Sequence, residues 1–208
     1  MIEQHYAIFD MDGTLVDSMP YWRNILAEYL EMPIPKEYAE KIAALTVSDS
    51  IALTVKEYKL TKNPKVIFDE ICEIMYKHYV QDVSIKEGVV QYLQKLQDKN
   101  VRMCIASASP QFLIKTVMKK FDIADYFEFI CSTEDGFADK RNPDIFLYCA
   151  DKFKSTPPET AVFEDSYSAI RAALKANFHV VAIYDKSQDK YWDEITRSVH
   201  RSKLSYTV

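Results

Sequence analysis

Short apolar runs rich in β-branched and aromatic residues recur along the chain, with helical patterns between them. YAIF (6–9), VRMCIA (101–106), FEFIC (127–131), TAVFE (160–164) and VVAIY (180–184) each have the length and composition of a buried strand. Between them, Val89, Tyr92, Leu93 and Leu96 fall on one helical face, and Leu113, Ile114, Val117, Met118 and Phe121 fall on another. Strands that are apolar throughout are expected when helices cover both faces of a parallel sheet. The pattern therefore predicts an α/β fold, a Rossmann-like three-layer sandwich with a parallel sheet.

Residues 18–84 break the alternation. Trp22, Ile25, Leu26, Tyr29 and Leu30 form one helical stripe, and Ile67, Ile71, Ile74, Met75 and His78 form another. Pro33, Pro35 and Pro64 punctuate the stretch, and Ser18 and Ser48 are expected N-caps. The reading is an α/β core made of residues 1–17 and 85–208, with an all-α cap of about four helices inserted at 18–84. Open α/β sheets bind ligands at the carboxyl ends of their strands, so an insertion directly after the first strand is placed to act as a lid. The tail after Asp185 is polar and Lys-rich, with a helix expected over 190–199 and no function attached to it.

Composition narrows the function classes. The chain has 208 residues and is 48% apolar, enough to bury one sizeable domain with a modest insertion. No apolar run approaches the ~20 residues of a membrane span. The N-terminus MIEQHYAIFD lacks a signal-peptide pattern, so a cytoplasmic location is expected. Cys72, Cys104, Cys131 and Cys149 stand far apart with no CxxC pair and the histidines are scattered, which argues against zinc. A net charge of -5 without a Lys/Arg cluster argues against a nucleic-acid or anionic-membrane partner. An anionic substrate would have to be held locally. Oligomeric state is left open.

Candidate chemistry begins at FDMDGTLVDS (9–18), where carboxylates gather just after the first strand. A calcium loop of the EF-hand kind would put Ile8 and Met19 at its first and last ligand positions, and neither can bind the ion. Asp10 ends the strand, Asp12 can project toward the same crevice, and Gly13 permits the turn away. Paired carboxylates repel unless a cation holds them. A hard ion such as Mg2+ takes oxygen ligands and shares its sphere with substrate phosphate, which points to phosphoryl chemistry. Such chemistry needs donors and positive charge around the transferring oxygens. The later strand ends offer Ser107-Ala108-Ser109-Pro110, with Ser109 an expected N-cap and Pro110 the first helical position. They also offer Lys140, ahead of an expected helix start at Asn142-Pro143, and the acidic pair Glu164-Asp165.

Taken together, these four motifs resemble those of the haloacid dehalogenase superfamily. DMDGT is similar to the family's first motif, Ser107 to its Ser/Thr motif, Lys140 with PDIF to its lysine motif, and FEDS to its acidic motif. The helical insertion resembles the small cap of the subfamily that contains phosphoglycolate phosphatases and β-phosphoglucomutases. The resemblance implies that Asp10 is the nucleophile and that Asp12 is the acid and base. It implies Mg2+ held by the Asp10 side chain, the Asp12 backbone carbonyl, Asp165 and Glu164, and the phosphoryl oxygens held by Ser107, the Ala108 N–H and Lys140. Thr14 would support the loop. The implied substrate is a small phosphorylated metabolite, with Tyr21, Trp22, Thr46, Ser48 and Asp49 the cap residues expected nearest its leaving group.

Alternatives remain. Halogen-removing relatives lack the second aspartate, so Asp12 favours phosphoryl transfer. A sugar phosphate mutase of the β-phosphoglucomutase type is the nearest rival, yet its hinge-side histidine corresponds here to Trp22 and its phosphate-steadying arginine to Val47. Arg141 stands where the family commonly has proline, and Ala169 where it commonly has glycine. A catalytically silent phosphate-binding module is a further alternative. Receiver domains use a similar set of residues in a different order and have no helical insertion.

Overall fold

The protein was analysed as a computed structural model describing residues 2–42 and 45–207. The chain divides into two compact units. One runs through Ser18 and resumes at Val83, and the other is Met19–Asp82. Helices α1 (Met19–Tyr29), α2 (Lys36–Ile42), α3 (Val47–Glu57) and α4 (Pro64–Gln81) form the second unit, and α5 (Val89–Gln97), α6 (Gln111–Lys120), α7 (Asp144–Phe153), α8 (Tyr167–Lys175) and α9 (Trp192–Ser198) belong to the first.

The first unit is an α/β Rossmann-like fold. Its strands are β1 (Tyr6–Phe9), β2 (Arg102–Ser107), β3 (Phe129–Ser132), β4 (Thr160–Glu164), β5 (His179–Ile183) and β6 (Arg201–Lys203). They form a parallel sheet in the order β3-β2-β1-β4-β5-β6. Alternate side chains feed opposite faces. Ile8, Cys104, Val162 and Val180 pack with Phe146 of α7, Ile170 of α8 and Ile195 of α9. On the other face Phe9 stacks on Phe163 at 4.2 Å, and Tyr92 of α5 meets Phe163 edge-on at 5.7 Å. Burial of each such side chain contributes about 1.5–3 kcal/mol.

Strand order reverses between β1 and β4, the position where sheets of this kind leave a crevice at the carboxyl ends of their strands. Phe9 pairs with both Ile105 and Phe163, which puts Asp10 level with Ala106 and Glu164. The Asp10 N–H extends that ladder by donating to the Phe163 carbonyl at 2.9 Å.

In the helical unit, Ile25 and Leu26 of α1, Ile51 of α3, and Ile67, Ile71 and Met75 of α4 are buried. His78 of α4 lies between Glu28 of α1 at 2.8 Å and Asp82 at 2.7 Å. The indole N–H of Trp22 donates to the Tyr79 hydroxyl at 3.1 Å within this unit. No described helix is long and apolar enough to cross a membrane.

Several expectations need correction. The N-cap of α3 is Thr46, whose hydroxyl accepts from the Asp49 N–H at 3.1 Å; Ser48 lies inside the helix. Helices α6 and α7 begin after Pro110 and Pro143, so these prolines are caps and not first helical residues. The helix expected over 190–199 is present as α9, and what the pattern did not announce is the 3-10 segment Lys186–Tyr191 that leads into it. Strand β6 has no counterpart in the sequence pattern, because Arg-Ser-Lys at a sheet edge carries no apolar signal.

Candidate active site

At the carboxyl end of β1 the chain must turn sharply while keeping a carboxylate aimed into the crevice. Gly13 makes that turn with φ +81, and a Cβ there would meet Asp165 Oδ2 at 2.5 Å. Both the backbone and the close approach therefore require glycine. Thr14 follows, and its hydroxyl donates to Asp165 Oδ1 at 3.0 Å. The first turn and the end of β4 are thus locked together through Asp165.

The side chains of Asp10, Glu164 and Asp165 are all buried and bring carboxylate oxygens within 4.8 Å of one another. Lys140, in the loop before α7, bridges two of them. Its ammonium donates to Asp10, to Glu164 Oε1 at 2.5 Å and to the Ala106 carbonyl at 3.4 Å. Glu164 is fixed further by the Ser166 N–H at 2.7 Å. Three carboxylates against one ammonium leave excess negative charge in a buried site. Burial, helped by the charges of Glu164 and Asp12, pushes Asp10 up to about 7 against the opposing pull of Lys140. Burial also pushes Asp165 well above the usual carboxylate range, reinforced by Glu164, Asp10 and Asp185. For Lys140, burial disfavours the charged form, but the facing Asp10 and Glu164 outweigh it and hold the ammonium above its ordinary range. This all-oxygen, net-negative donor set fits a hard divalent cation.

Asp12 is not one of these three carboxylates and is held by two serines. Ser18 Oγ donates to Asp12 Oδ1 and Ser109 Oγ to Asp12 Oδ2, each at 2.6 Å. Ser109 is therefore not the cap of α6. The first N–H of α6, from Gln111, is taken by Glu134 at 2.9 Å. Ser107 ends β2, is buried, and accepts the Ser109 N–H on its hydroxyl at 3.1 Å. Ala108 between them is exposed, with its carbonyl accepting from Thr133 at 3.0 Å. Nothing in the spacing points to the two serines that grip Asp12, nor to Lys86, which pairs with Asp17 at 3.0 Å and Asp185 at 3.2 Å behind the first turn. A hydroxyl two residues past Ser107 is the only sequence signal that could have suggested Ser109.

The sequence pattern that defines haloacid dehalogenase-like hydrolases matches residues 7–183. The chain belongs to that family. Among curated relatives of this haloacid dehalogenase-like hydrolase are a phosphorylated carbohydrates phosphatase of Thermotoga maritima, 22% identical over 81% of this chain and 80% of the relative, and a β-phosphoglucomutase of Bacillus subtilis, 24% identical over 85% and 81%. Its fold matches the crystal structure of CbbY from Rhodobacter sphaeroides in complex with phosphate, with a TM-score of 0.85, 17% identity, and 98% and 95% of the two chains covered. Family membership makes the chain an enzyme with phosphatase or phosphoglucomutase-like activity on phosphorylated compounds.

Proposed function

We propose that this enzyme is a Mg2+-dependent phosphatase that hydrolyses a small phosphorylated metabolite through an aspartyl phosphate on Asp10. The observation that carries the reading is the convergence of Asp10, Glu164 and Asp165 within 4.8 Å at the sheet's switch point, with Lys140 bridging the first two. Asp10, Asp165, Glu164 and the Asp12 backbone carbonyl would hold the ion. When bound, Mg2+ supplies charge neutralisation and orientation to the phosphoryl group.

The residues divide the remaining work. Asp10 attacks phosphorus; a P–O bond forms to its carboxylate and the P–O bond to the leaving group breaks. Asp12, in its protonated form, gives its proton to the departing alkoxide. Its carboxylate then takes a proton from the water that attacks the aspartyl phosphate, and the bond to Asp10 breaks to release phosphate. The Ser18 and Ser109 hydroxyls fix the plane of the Asp12 carboxyl for both steps. Ser107, the Ala108 N–H and Lys140 hold the transferring oxygens. The Thermotoga relative named for phosphorylated carbohydrates makes sugar phosphates the substrate class to try first.

The test is release of phosphate from p-nitrophenyl phosphate. It is expected to need Mg2+, to stop with chelator, and to fall at least about a thousandfold in Asp10→Asn. Absence of turnover in the intact protein overturns the reading. A second reading, the sugar phosphate mutase, is favoured by the Bacillus relative. Conversion of β-glucose 1-phosphate to the 6-phosphate without net phosphate release would establish it.

A further inference from the structure

The end of the chain makes a contact that no motif announces, and it lies beyond the family match at residues 7–183. Tyr206 is only 2% exposed. Its ring lies 5.2 Å from that of Tyr92 and stacks toward Phe163 at 6.4 Å with 24° between planes. Phe163 in turn stacks on Phe9 at 4.2 Å. Three rings thus form one column. Its two strand members each precede a site carboxylate directly, Phe9 before Asp10 and Phe163 before Glu164.

The backbone closes the same contact. The Tyr206 N–H donates to the Glu87 carbonyl at 3.2 Å. Gly88, at the start of α5 with φ +80, lies so close that a Cβ would meet Thr207 N at 2.8 Å and the Tyr206 carbonyl carbon at 2.9 Å. Only glycine admits both that backbone conformation and that approach. The hydroxyls of Tyr206 and Tyr92 are buried without hydrogen-bond partners, so the ring and the backbone, not the phenol oxygen, hold the segment in place. Burial pushes the Tyr206 phenol well above its ordinary range, and Tyr92 and then Asp10 and Asp165 add to the effect.

We infer that Tyr206 is a positioning residue: its ring completes the Phe9–Phe163 stack and fixes the strand ends that present Asp10, Glu164 and Asp165. The inference rests on the proposed phosphatase reading only in treating those carboxylates as the working groups. Packing interiors tolerate few gaps, so removal of the ring frees Phe163 and Phe9 to shift, and the carboxylates shift with them.

Amide hydrogen exchange in the intact chain, Tyr206→Ala and Tyr206→Phe tests this without any assay of activity. In Tyr206→Ala, exchange should quicken about tenfold or more in peptides spanning 9–16 and 161–166, while α1 and α4 keep their protection. Tyr206→Phe keeps the stack and should exchange like the intact chain. Should Tyr206→Ala fail to fold, Tyr206→Leu, which keeps apolar volume without an aromatic face, takes its place with the same expectation. In the phosphatase assay kcat should fall about tenfold in the ring-deleted variant at unchanged KM, and Tyr206→Phe should restore it. Unaltered exchange in the two site peptides, or uniform acceleration across the chain, overturns the inference. An inactive intact chain whose site peptides respond as described would refute the phosphatase reading and leave this one standing.

Discussion

At Gly13 a backbone turn and a carboxylate compete for the same space. A side chain there would have to displace Asp165, because its first carbon would lie 2.5 Å from Oδ2, and it would also carry the strain of φ +81. Gly13→Ala should therefore lose about 1–3 kcal/mol of stability. Its affinity for Mg2+ should fall about five- to thirtyfold, since about 1–2 kcal/mol of misplacement at a ligand appears directly in binding. Denaturant unfolding and titration calorimetry check the two halves separately, and wild-type Mg2+ affinity in the alanine variant would show that Asp165 does not hold the ion. The carboxylates that converge, Asp10, Glu164 and Asp165, stood out in the sequence because carboxylates at strand ends are costly without a purpose, while the roles proposed for them came from the family resemblance. The serines on Asp12 did not stand out, because a serine near a helix start reads as a cap whether or not its hydroxyl is used elsewhere. Lys140 was legible as a cation, while its bridge between Asp10 and Glu164 depends on a fold-level meeting of three distant segments.

Among the helices, the contact of α1 with α4 carries its own pH dependence. His78 faces Glu28 and Asp82. Burial lowers its basicity, but hydrogen bonds and charge from the two carboxylates outweigh burial and raise its pKa above the ordinary 6.5. A histidine whose folded value is raised stabilises the fold fully below the unfolded value, and that stability is lost as pH rises through the folded value. Thermal unfolding followed by circular dichroism should show stability falling as pH rises from about 6.5 through the raised value. In His78→Gln that slope should flatten, and an unchanged slope would remove His78 as its source. The apolar stripes of α1, α4, α5 and α6 were readable because each faces a core. Strand β6 was hidden for the opposite reason: its pairing with β5 uses backbone groups alone, and Arg201 and Lys203 look like tail. Tyr206, the single aromatic of the last eight residues, gave no periodicity to read.

For the whole molecule, the central claim is that distant strand ends converge on one ion and leave Asp10 able to accept a phosphoryl group. The five apolar strands were visible because a covered parallel sheet demands them, and the order of motifs along the chain carried the family resemblance. The order of strands in the sheet was not visible, although it is this order that sets β1 beside β4 and so Asp10 beside Asp165. The most direct measurement is rapid acid quench of the intact protein mixed with an aryl phosphate and Mg2+, followed by mass spectrometry of the peptide that contains Asp10. One phosphoryl group on Asp10, absent with chelator and absent in Asp10→Asn, is the predicted result. Steady phosphate release with Asp10 unmodified, at a rate that Asp10→Asn preserves, would contradict it.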